Sequence, residues 1–483
     1  MTPEGGGRGS SSWPITVFGT DDCSAQLTWP ASPADGLQVQ VGASVVRPTP
    51  SPVAELVLDE GGLSRPLSEG ARRYFRGRRA LDAAWPSGPG SVVIDGLAPA
   101  TTYDVVASAT GVPSFLAARV TTLRSPGGRL LSKFAAVSDV HIGEKHFGVL
   151  GRIHDPGENV RGVEPYPVRS LRGAIAEAAE WGAELLVVKG DLTREAVPSE
   201  VRDVGRVLAT SPVPLEVILG NHDNKWGVDV RGILESQGVP VSWQPRARDL
   251  PGVRVVLMST AHGDPRFHGG QLPAKVSEQI AALARAAPGP AWVCLHHPPE
   301  MFPFPTVYPP GLPFGESRRL LEALAGPEQP ATFLTCGHRH RNRRYDYGRL
   351  VVTEVGSTKD YPGVWAGYKV FEGGIIQLVR RTARQDVMAW TEATRRAVNG
   401  QWRRWSPGRL RDRCFAVDWA AAGDRPSGRV ERVTGRADAS GVTRAGSGAR
   451  SSLRRRPDAP GQRRAGSQLV RRDQRRPLCR AHH

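Results

Sequence analysis

One alternation runs through the middle of the chain and constrains the fold more than any other feature. Short apolar runs recur at KFAAVS (133–138), ELLVVK (184–189), LEVIL (215–219), RVVLMS (254–259), AWVCL (291–295) and ATFL (331–334). Their length and β-branched content fit strands covered on both faces. Between them VRSLRGAIAEAAEWG, SEVRDVGRVLAT, PAKVSEQIAALARAA and SRRLLEALAG carry apolar residues at helical spacing, and two of these end at Gly. Strands alternating with helices predict an α/β layered domain. LVVTEVGS, GYKVFE and GIIQLVRR add a further strand group that closes it near residue 380. Residues 385–420 are expected to add a helix and a strand that pack on this domain.

Polar clusters stand at the carboxyl ends of five of those runs: SDVH (138–141), GDLT (190–193), GNHD (220–223), LHHPP (295–299) and GHRH (337–340). In open α/β sheets the crevice beyond the strand carboxyl ends is where ligands bind. Asp, Asn and His are the donor types that borderline divalent metals take. In extended backbone residues i and i+2 project to one side. Asp139 and His141 are therefore expected to converge, as are His338 and His340, with Arg339 turned outward. A single DxH or HH is a weak signal, since it is more often a turn or a satisfied polar site. Five in this order, each after an apolar run, form a constellation.

Together the five blocks resemble the calcineurin-like metallophosphoesterase superfamily, whose pattern is DxH, GD, GNH with Asp or Glu, H, then GHxH. The resemblance covers about residues 132 to 380, and no ligand position is substituted. It implies a four-layer α/β/β/α sandwich carrying two divalent or trivalent metal ions, Mn, Fe or Zn. By motif, Asp139, His141, Asp191 and His340 would hold the first metal. Asp191 would bridge to the second, completed by Asn221, His296 and His338. In HHPP, His296 is taken as the ligand because it directly follows the strand, with His297 behind it. The implied activity is hydrolysis of a phosphodiester or phosphomonoester by a metal-bridging hydroxide. His222 would donate a proton to the leaving oxygen, and Asp223 would fix its ring by a hydrogen bond. GDLTRE has Glu195 where purple acid phosphatases have the Tyr of GDxxY, so the layout is more similar to the cyclic-nucleotide phosphodiesterase-like branch.

Substrate choice is expected from the surrounding loops. The long segment 143–167 contains His146, a candidate substrate contact, and 300–314 joins aromatics with Pro in a stiff flap. Arg339 is the other candidate contact. The alternative function is a non-catalytic binding or scaffold protein.

Ahead of this domain, residues 13–123 show short strand and turn signals, among them AQLTW, LQVQVG, AELVLDE, SVVIDGL and AARVTTL, with period-two alternation in TTYDVVASA. This predicts an all-β sandwich. GLAPATTYDVVASATG resembles the end of a fibronectin type III domain, in which Tyr103 would anchor a corner between strands. Residues 124–131 read as a linker, 132–384 as the α/β domain, and 1–12 as a disordered start.

The net charge of +17 at pH 7 suggests nucleic acid at first sight. Residues 421–483, however, hold 16 Arg against 5 acids, which leaves only +6 for the first 420. That tail has no Lys, Ile, Phe, Tyr or Trp and is expected to be disordered. It can hold polyanions by charge, but without aromatic residues it offers no base stacking and no specific nucleic-acid site. Five scattered cysteines argue for reduced thiols. No apolar stretch is long enough to cross a membrane and the N-terminus lacks a secretory pattern, so the expected partner is a phosphate-ester substrate and the expected location cytoplasmic.

Overall fold

A computed structural model describes residues 13–50, 87–148, 153–155, 162–225, 227–420 and 430–431. The expected disordered start (1–12), the run AELVLDE and, apart from Val430 and Glu431, the Arg-rich tail (421–483) lie outside the described residues. The chain is mixed α/β with several sheets.

The alternation noted above builds two sheets. The six-stranded one runs in the order Leu215–Ile218, Leu186–Lys189, Leu130–Val137, Val364–Phe371, Gly374–Arg381 and Phe415–Asp418. Its first three strands are parallel and the rest antiparallel. The seven-stranded one runs in the order Arg246–Leu250, Val253–Met258, Ala291–Leu295, Thr332–Cys336, Leu350–Glu354, Arg343–Tyr347 and Val430–Glu431. Val253–Met258 through Leu350–Glu354 form its parallel centre.

The central strands read as unbroken apolar runs because both faces are buried, whereas the outer strands Arg246–Leu250 and Arg343–Tyr347 are charged and partly exposed. Ala135 and Val137 pack with Leu171, Ala174 and Ile175 of helix Tyr166–Glu180 and with Val204 and Leu208 of helix Pro198–Ala209. The intervening residues Phe134 and Ala136 face the other way, into a core shared with Val255, Leu257, Trp292, Cys294 and Phe333 of the second sheet. Phe134 stacks on Tyr368 at 4.7 Å and meets Trp292 edge-on at 5.0 Å. Val256, Val293 and Leu334 project from the far side of the second sheet onto Ile280, Ala284, Leu320 and Leu324 of helices Ala274–Arg285 and Phe314–Ala325. Removing a fully buried ring such as that of Trp292 costs about 3–5 kcal/mol.

Two antiparallel sheets precede this body. One contains Thr16–Thr20, Ser24–Trp29 and Gly90–Asp95, the other Ser44–Val46, Gln38–Val41, Thr102–Ala109 and Val112–Thr121. They share a core of Trp13, Leu27, Trp29, Val39, Ile94, Val105 and Val120. The Tyr103 hydroxyl accepts a hydrogen bond from the Ala98 N–H at 2.8 Å. Contacts to the six-stranded sheet are apolar at Phe18, which is buried in one cluster with Val379, Phe415 and Val417, and polar around it. Lys369 Nζ lies 2.7 Å from Asp21 and 2.9 Å from Asp22, and the Gln26 amide exchanges two 2.8 Å hydrogen bonds with the Arg381 backbone. Residues 385–420 contribute helix Gln385–Thr394, the short helical turns Val398–Gly400, Trp402–Trp405 and Leu410–Arg413, and the edge strand Phe415–Asp418. The four described cysteines are free.

Candidate metal centre

All five polar clusters follow strands of the two sheets, three from the first and two from the second, and their side chains meet. Asp191 Oδ2 lies 3.3 Å from His296 Nε2 and 3.6 Å from His141 Nε2. Asp139 Oδ1 lies 3.7 Å from His340 Nε2. Donor atoms of Asp139, His141 and His340 fall within 4.8 Å of one another, as do those of Asp139, Asp191 and His296. The His338 ring is 5.1 Å from that of His296, centroid to centroid. Asn221 is buried beside them. Strands from two sheets thus deliver to one crevice residues that are up to about two hundred positions apart.

The convergence does not come from extended strand alternation. Asp139, His141, Asp191, His338 and His340 all have left-handed backbone, with φ between 47° and 72°. Each such non-glycine residue costs on the order of 1–2 kcal/mol. The loops therefore need ties that compensate. The Asp191 carbonyl accepts from both Val140 N and His141 N at 2.8 and 2.9 Å. Asp139 accepts from His338 N at 2.9 Å through its carboxylate and from Ser357 Oγ at 2.9 Å through its carbonyl. Asp191 Oδ1 accepts from His222 N at 2.9 Å. The backbone approaches so closely that a Cβ on Gly220 would stand 2.2 Å from Asp191 Oδ1, and one on Gly337 2.0 Å from Ser138 Oγ.

The outer ring nitrogens are satisfied by protein. His296 Nδ1 donates to the Lys189 carbonyl at 2.7 Å, His338 Nε2 to the Pro310 carbonyl at 3.0 Å, and His340 Nδ1 bonds Asp360 at 2.7 Å. The inner atoms are not. Among the described residues, Asp139 Oδ2, both His141 nitrogens, Asn221 Oδ1, His296 Nε2 and His338 Nδ1 are buried without a hydrogen-bond partner. An unpaired buried polar group costs about 1–3 kcal/mol, so a native fold collects them in one place only where something else satisfies them. Carboxylate, amide and imidazole donors, three of the four imidazoles oriented by a partner on the outer nitrogen, fit a pair of divalent metal ions.

Burial with the neighbouring His222 and Lys359 holds His141 well below the usual imidazole range, and burial with His297 and His296 does the same for His338. At His296 burial opposes charging, but the Asp191 carboxylate outweighs it and pushes the ring up to about 9. At His340 burial is likewise outweighed, here by Asp360 and Asp139, and the ring is raised. The cluster is polarised: carboxylates outweigh burial at His296 and His340, whereas burial wins at His338 and at His141, even though Asp191 lies 3.6 Å from the His141 ring.

Other expected site residues sit differently. His222 is half-buried, its ring 4.6 Å from that of His141, with Nδ1 donating to the Arg194 carbonyl at 2.8 Å. Asp223 does not touch that ring. Its carboxylate accepts from the backbone N–H groups of Leu192, Thr193 and Gly220 and from the Thr193 hydroxyl, at 2.9–3.1 Å. Burial and the adjacent Asp191 push its carboxyl up to about 6. Arg339 is not turned outward. Its side chain is 4 % exposed and ion-paired with Glu300 and with Glu354 at 3.5 Å, because the left-handed turn points it under the loop. His146 lies in a two-residue ribbon with His154, the rings 3.9 Å apart. His297 is buried, with Nδ1 2.9 Å from Thr260 Oγ1.

Sequence reading missed the layer behind His340. Asp360 is fully buried between His340, Lys359 and the Trp402 indole, and Glu144 takes Lys359 at 2.7 Å together with Tyr166. Asp360 lies in TKDYP, three residues past the end of VVTEVGS, with no motif around it.

No protein-family model matches the chain, and no curated protein does. Among solved structures it is similar to the purple acid phosphatase PPD1 from yellow lupin (Lupinus luteus) seeds, at 12% identity over 77% of this chain and 73% of that one, with a TM-score of 0.36. A putative 5'-nucleotidase from Staphylococcus aureus matches at 14% identity over 52% of each chain, with a TM-score of 0.33. PhoD matches at 11% identity over 77% of this chain and 87% of that one, with a TM-score of 0.32.

Proposed function

We propose that the chain is a dimetal-dependent phosphoesterase of the calcineurin-like type, with a four-layer α/β/β/α catalytic domain over about 132–384 and a β-sandwich domain over about 13–123. The carrying observation is the set of buried, unpaired donor atoms on Asp139, His141, Asn221, His296 and His338 around the Asp191 carboxylate. In this reading Asp139, His141, Asp191 and His340 hold one ion, and Asp191, Asn221, His296 and His338 the other. Two such ions supply Lewis-acid polarisation of a phosphoryl group and a water of lowered pKa.

The chain's own residues supply orientation and a proton. Asp191 faces both ligand sets, and its other oxygen is fixed by the His222 N–H, so it cannot swing out of place. The Arg194 carbonyl holds His222 Nδ1 as the N–H tautomer and leaves Nε2 for the substrate. The protonated Nε2 donates to the leaving oxygen as the ester bond breaks. Asp223 positions the strand-end loops of Asp191 and Asn221 relative to each other rather than orienting the His222 ring. Arg339 and Arg341 both spend their charge on buried carboxylates, so neither is a phosphate ligand.

Bis(4-nitrophenyl) phosphate and 4-nitrophenyl phosphate, assayed with Mn²⁺ and then with chelator, test this reading. Metal-dependent release of nitrophenolate, abolished by chelator, is expected. Folded protein that hydrolyses neither ester with Mn, Fe or Zn would leave only the scaffold reading. Among the described residues no helix is long and apolar enough to cross a membrane.

A further inference from the structure

The segment after helix Gln385–Thr394 lies against the His338–Asn342 loop from outside. Trp402 Nε1 donates to Asp360 Oδ1 at 3.0 Å, while Asp360 Oδ2 takes His340 Nδ1 at 2.7 Å. Four residues on, Ser406 Oγ donates to the His340 carbonyl, at 2.6 Å, or to the Tyr361 carbonyl, at 2.5 Å. The Ser406 carbonyl accepts from Asn342 N at 2.9 Å. Trp405 Nε1 reaches the Arg339 carbonyl at 3.4 Å, and the Arg341 guanidinium lies over the Trp405 ring at 4.5 Å. Gly408 takes a left-handed φ of 61° where a Cβ would stand 2.0 Å from the Asn342 carbonyl oxygen.

This is more than packing. A metal-binding imidazole needs its remote nitrogen held so that the ring cannot rotate and the near nitrogen keeps its lone pair. Asp360 does that for His340, and a carboxylate can do so only if its own orientation is fixed. It is fully buried, with Lys359 Nζ 3.3 Å from the oxygen facing His340 and the Trp402 indole on the other oxygen. The indole therefore helps fix which way the carboxylate plane faces, together with Lys359 and Ser357. His340 is also one of the left-handed residues, and Ser406 holds its carbonyl.

We propose that residues 402–408 are a working part of the metal centre, with Trp402 a positioning residue that acts on His340 through Asp360 and so sets the affinity of the ion held by Asp139, His141 and His340. The inference rests on the dimetal reading above. It gives the region beyond the α/β domain a specific task, and it assigns Trp402 an effect on one of two ions rather than on both.

The test is calorimetric titration of the metal-stripped full chain with Mn²⁺, comparing wild type, Trp402→Phe and Ser406→Ala, alongside the thermal midpoint of each metal-free protein. Loss of an outer partner of a ligand weakens binding about 10–100-fold. Trp402→Phe keeps the ring but not the N–H. Acting one residue further out than Asp360, it is expected to weaken one of two Mn²⁺ sites by up to about tenfold, leave the other within twofold, and lower the metal-free midpoint by only a few degrees. Ser406→Ala is expected to weaken the same site. Two ions bound by wild type with unchanged affinities in both variants would overturn the inference and leave the dimetal reading intact. Equal weakening at both sites, or a larger fall in the metal-free midpoint in step with affinity, would make the clamp merely structural and overturn it too. A wild type that binds no Mn²⁺, Fe²⁺ or Zn²⁺ would overturn the dimetal reading and this inference with it.

Discussion

Metal uptake at this site is expected to drive protons off the protein, and their number follows from the polarised cluster. Asp191 pushes His296 up to about 9 against the opposing effect of burial, so at pH 7 that ring is about 99% protonated in the metal-free protein. His340 is raised as well, by Asp360 and Asp139. His141 and His338 are held well below the usual range and have no proton to lose. A ligand imidazole must be neutral, so filling both sites at pH 7 is expected to release more than one proton and up to about two. Each pH unit between the working pH and the group's pKa costs about 1.4 kcal/mol per proton. Removing the His296 proton at pH 7 thus opposes binding by about 3 kcal/mol, or about a hundredfold in affinity. The sign is definite: apparent affinity for the ion at His296 rises about tenfold per pH unit from pH 6 toward 9 and then flattens. Calorimetric titration of the stripped protein at pH 7, in two buffers of different ionisation enthalpy, reads the proton count directly. Two ions bound with no proton released would refute the assignment of Asp191 as the partner that charges His296.

Three substitutions separate the roles assigned to the remaining residues. His222→Ala is expected to lower kcat on an aryl diester by about 10²–10⁴-fold with both metal affinities unchanged; a loss of metal would move His222 into the ligand set. Asp223→Ala removes the acceptor for three buried backbone N–H groups, at about 1–3 kcal/mol each. Its thermal midpoint should drop sharply, and a shifted pH–rate profile at unchanged stability would instead restore Asp223 as the orienter of His222. Arg339→Ala leaves Glu300 and Glu354 buried with a partner lost and should destabilise by about 3–5 kcal/mol; unchanged stability with a raised KM would make Arg339 a substrate contact after all.

The central strands were legible because both of their faces are covered, so their residues are apolar without interruption, whereas Arg246–Leu250 and Arg343–Tyr347, charged and partly exposed, gave no such signal. The candidate ligand positions stood out for a related reason: Asp, Asn and His are conspicuous straight after such runs. What could not be read was direction. Arg339 occurs between two histidines in RHR, and an extended backbone would have sent it to solvent, whereas the left-handed turn buries it against Glu300 and Glu354. Asp223 sits beside His222 in GNHD, yet the turn at Asn221–Asp223 aims its carboxylate back at the Leu192 and Thr193 backbone. Asp360 and Trp402 lie 20 and 62 residues beyond His340 with no local pattern, and only the fold makes them its neighbours.

The left-handed residues explain why three of the five motifs, GDLT, GNHD and GHRH, open on glycine beside their candidate ligands. A site of this kind needs side chains from several strand ends to point inward within a few ångströms, and regular strands, diverging with the twist of the sheet, do not bring them there. Turning the chain sharply at Asp139, His141, Asp191, His338 and His340 does, at a cost of on the order of 1–2 kcal/mol per residue. Asp is among the few non-glycine residues that tolerate this conformation, and Gly190, Gly220 and Gly337 allow the neighbouring backbone to close up without a Cβ between. The metal-free fold therefore holds both backbone strain and unpaired donors in one crevice, and the ties from Ser357, Asp360 and Ser406 keep it assembled. In the dimetal reading, ion binding has little reorganisation left to do, because the candidate ligands are already bent together.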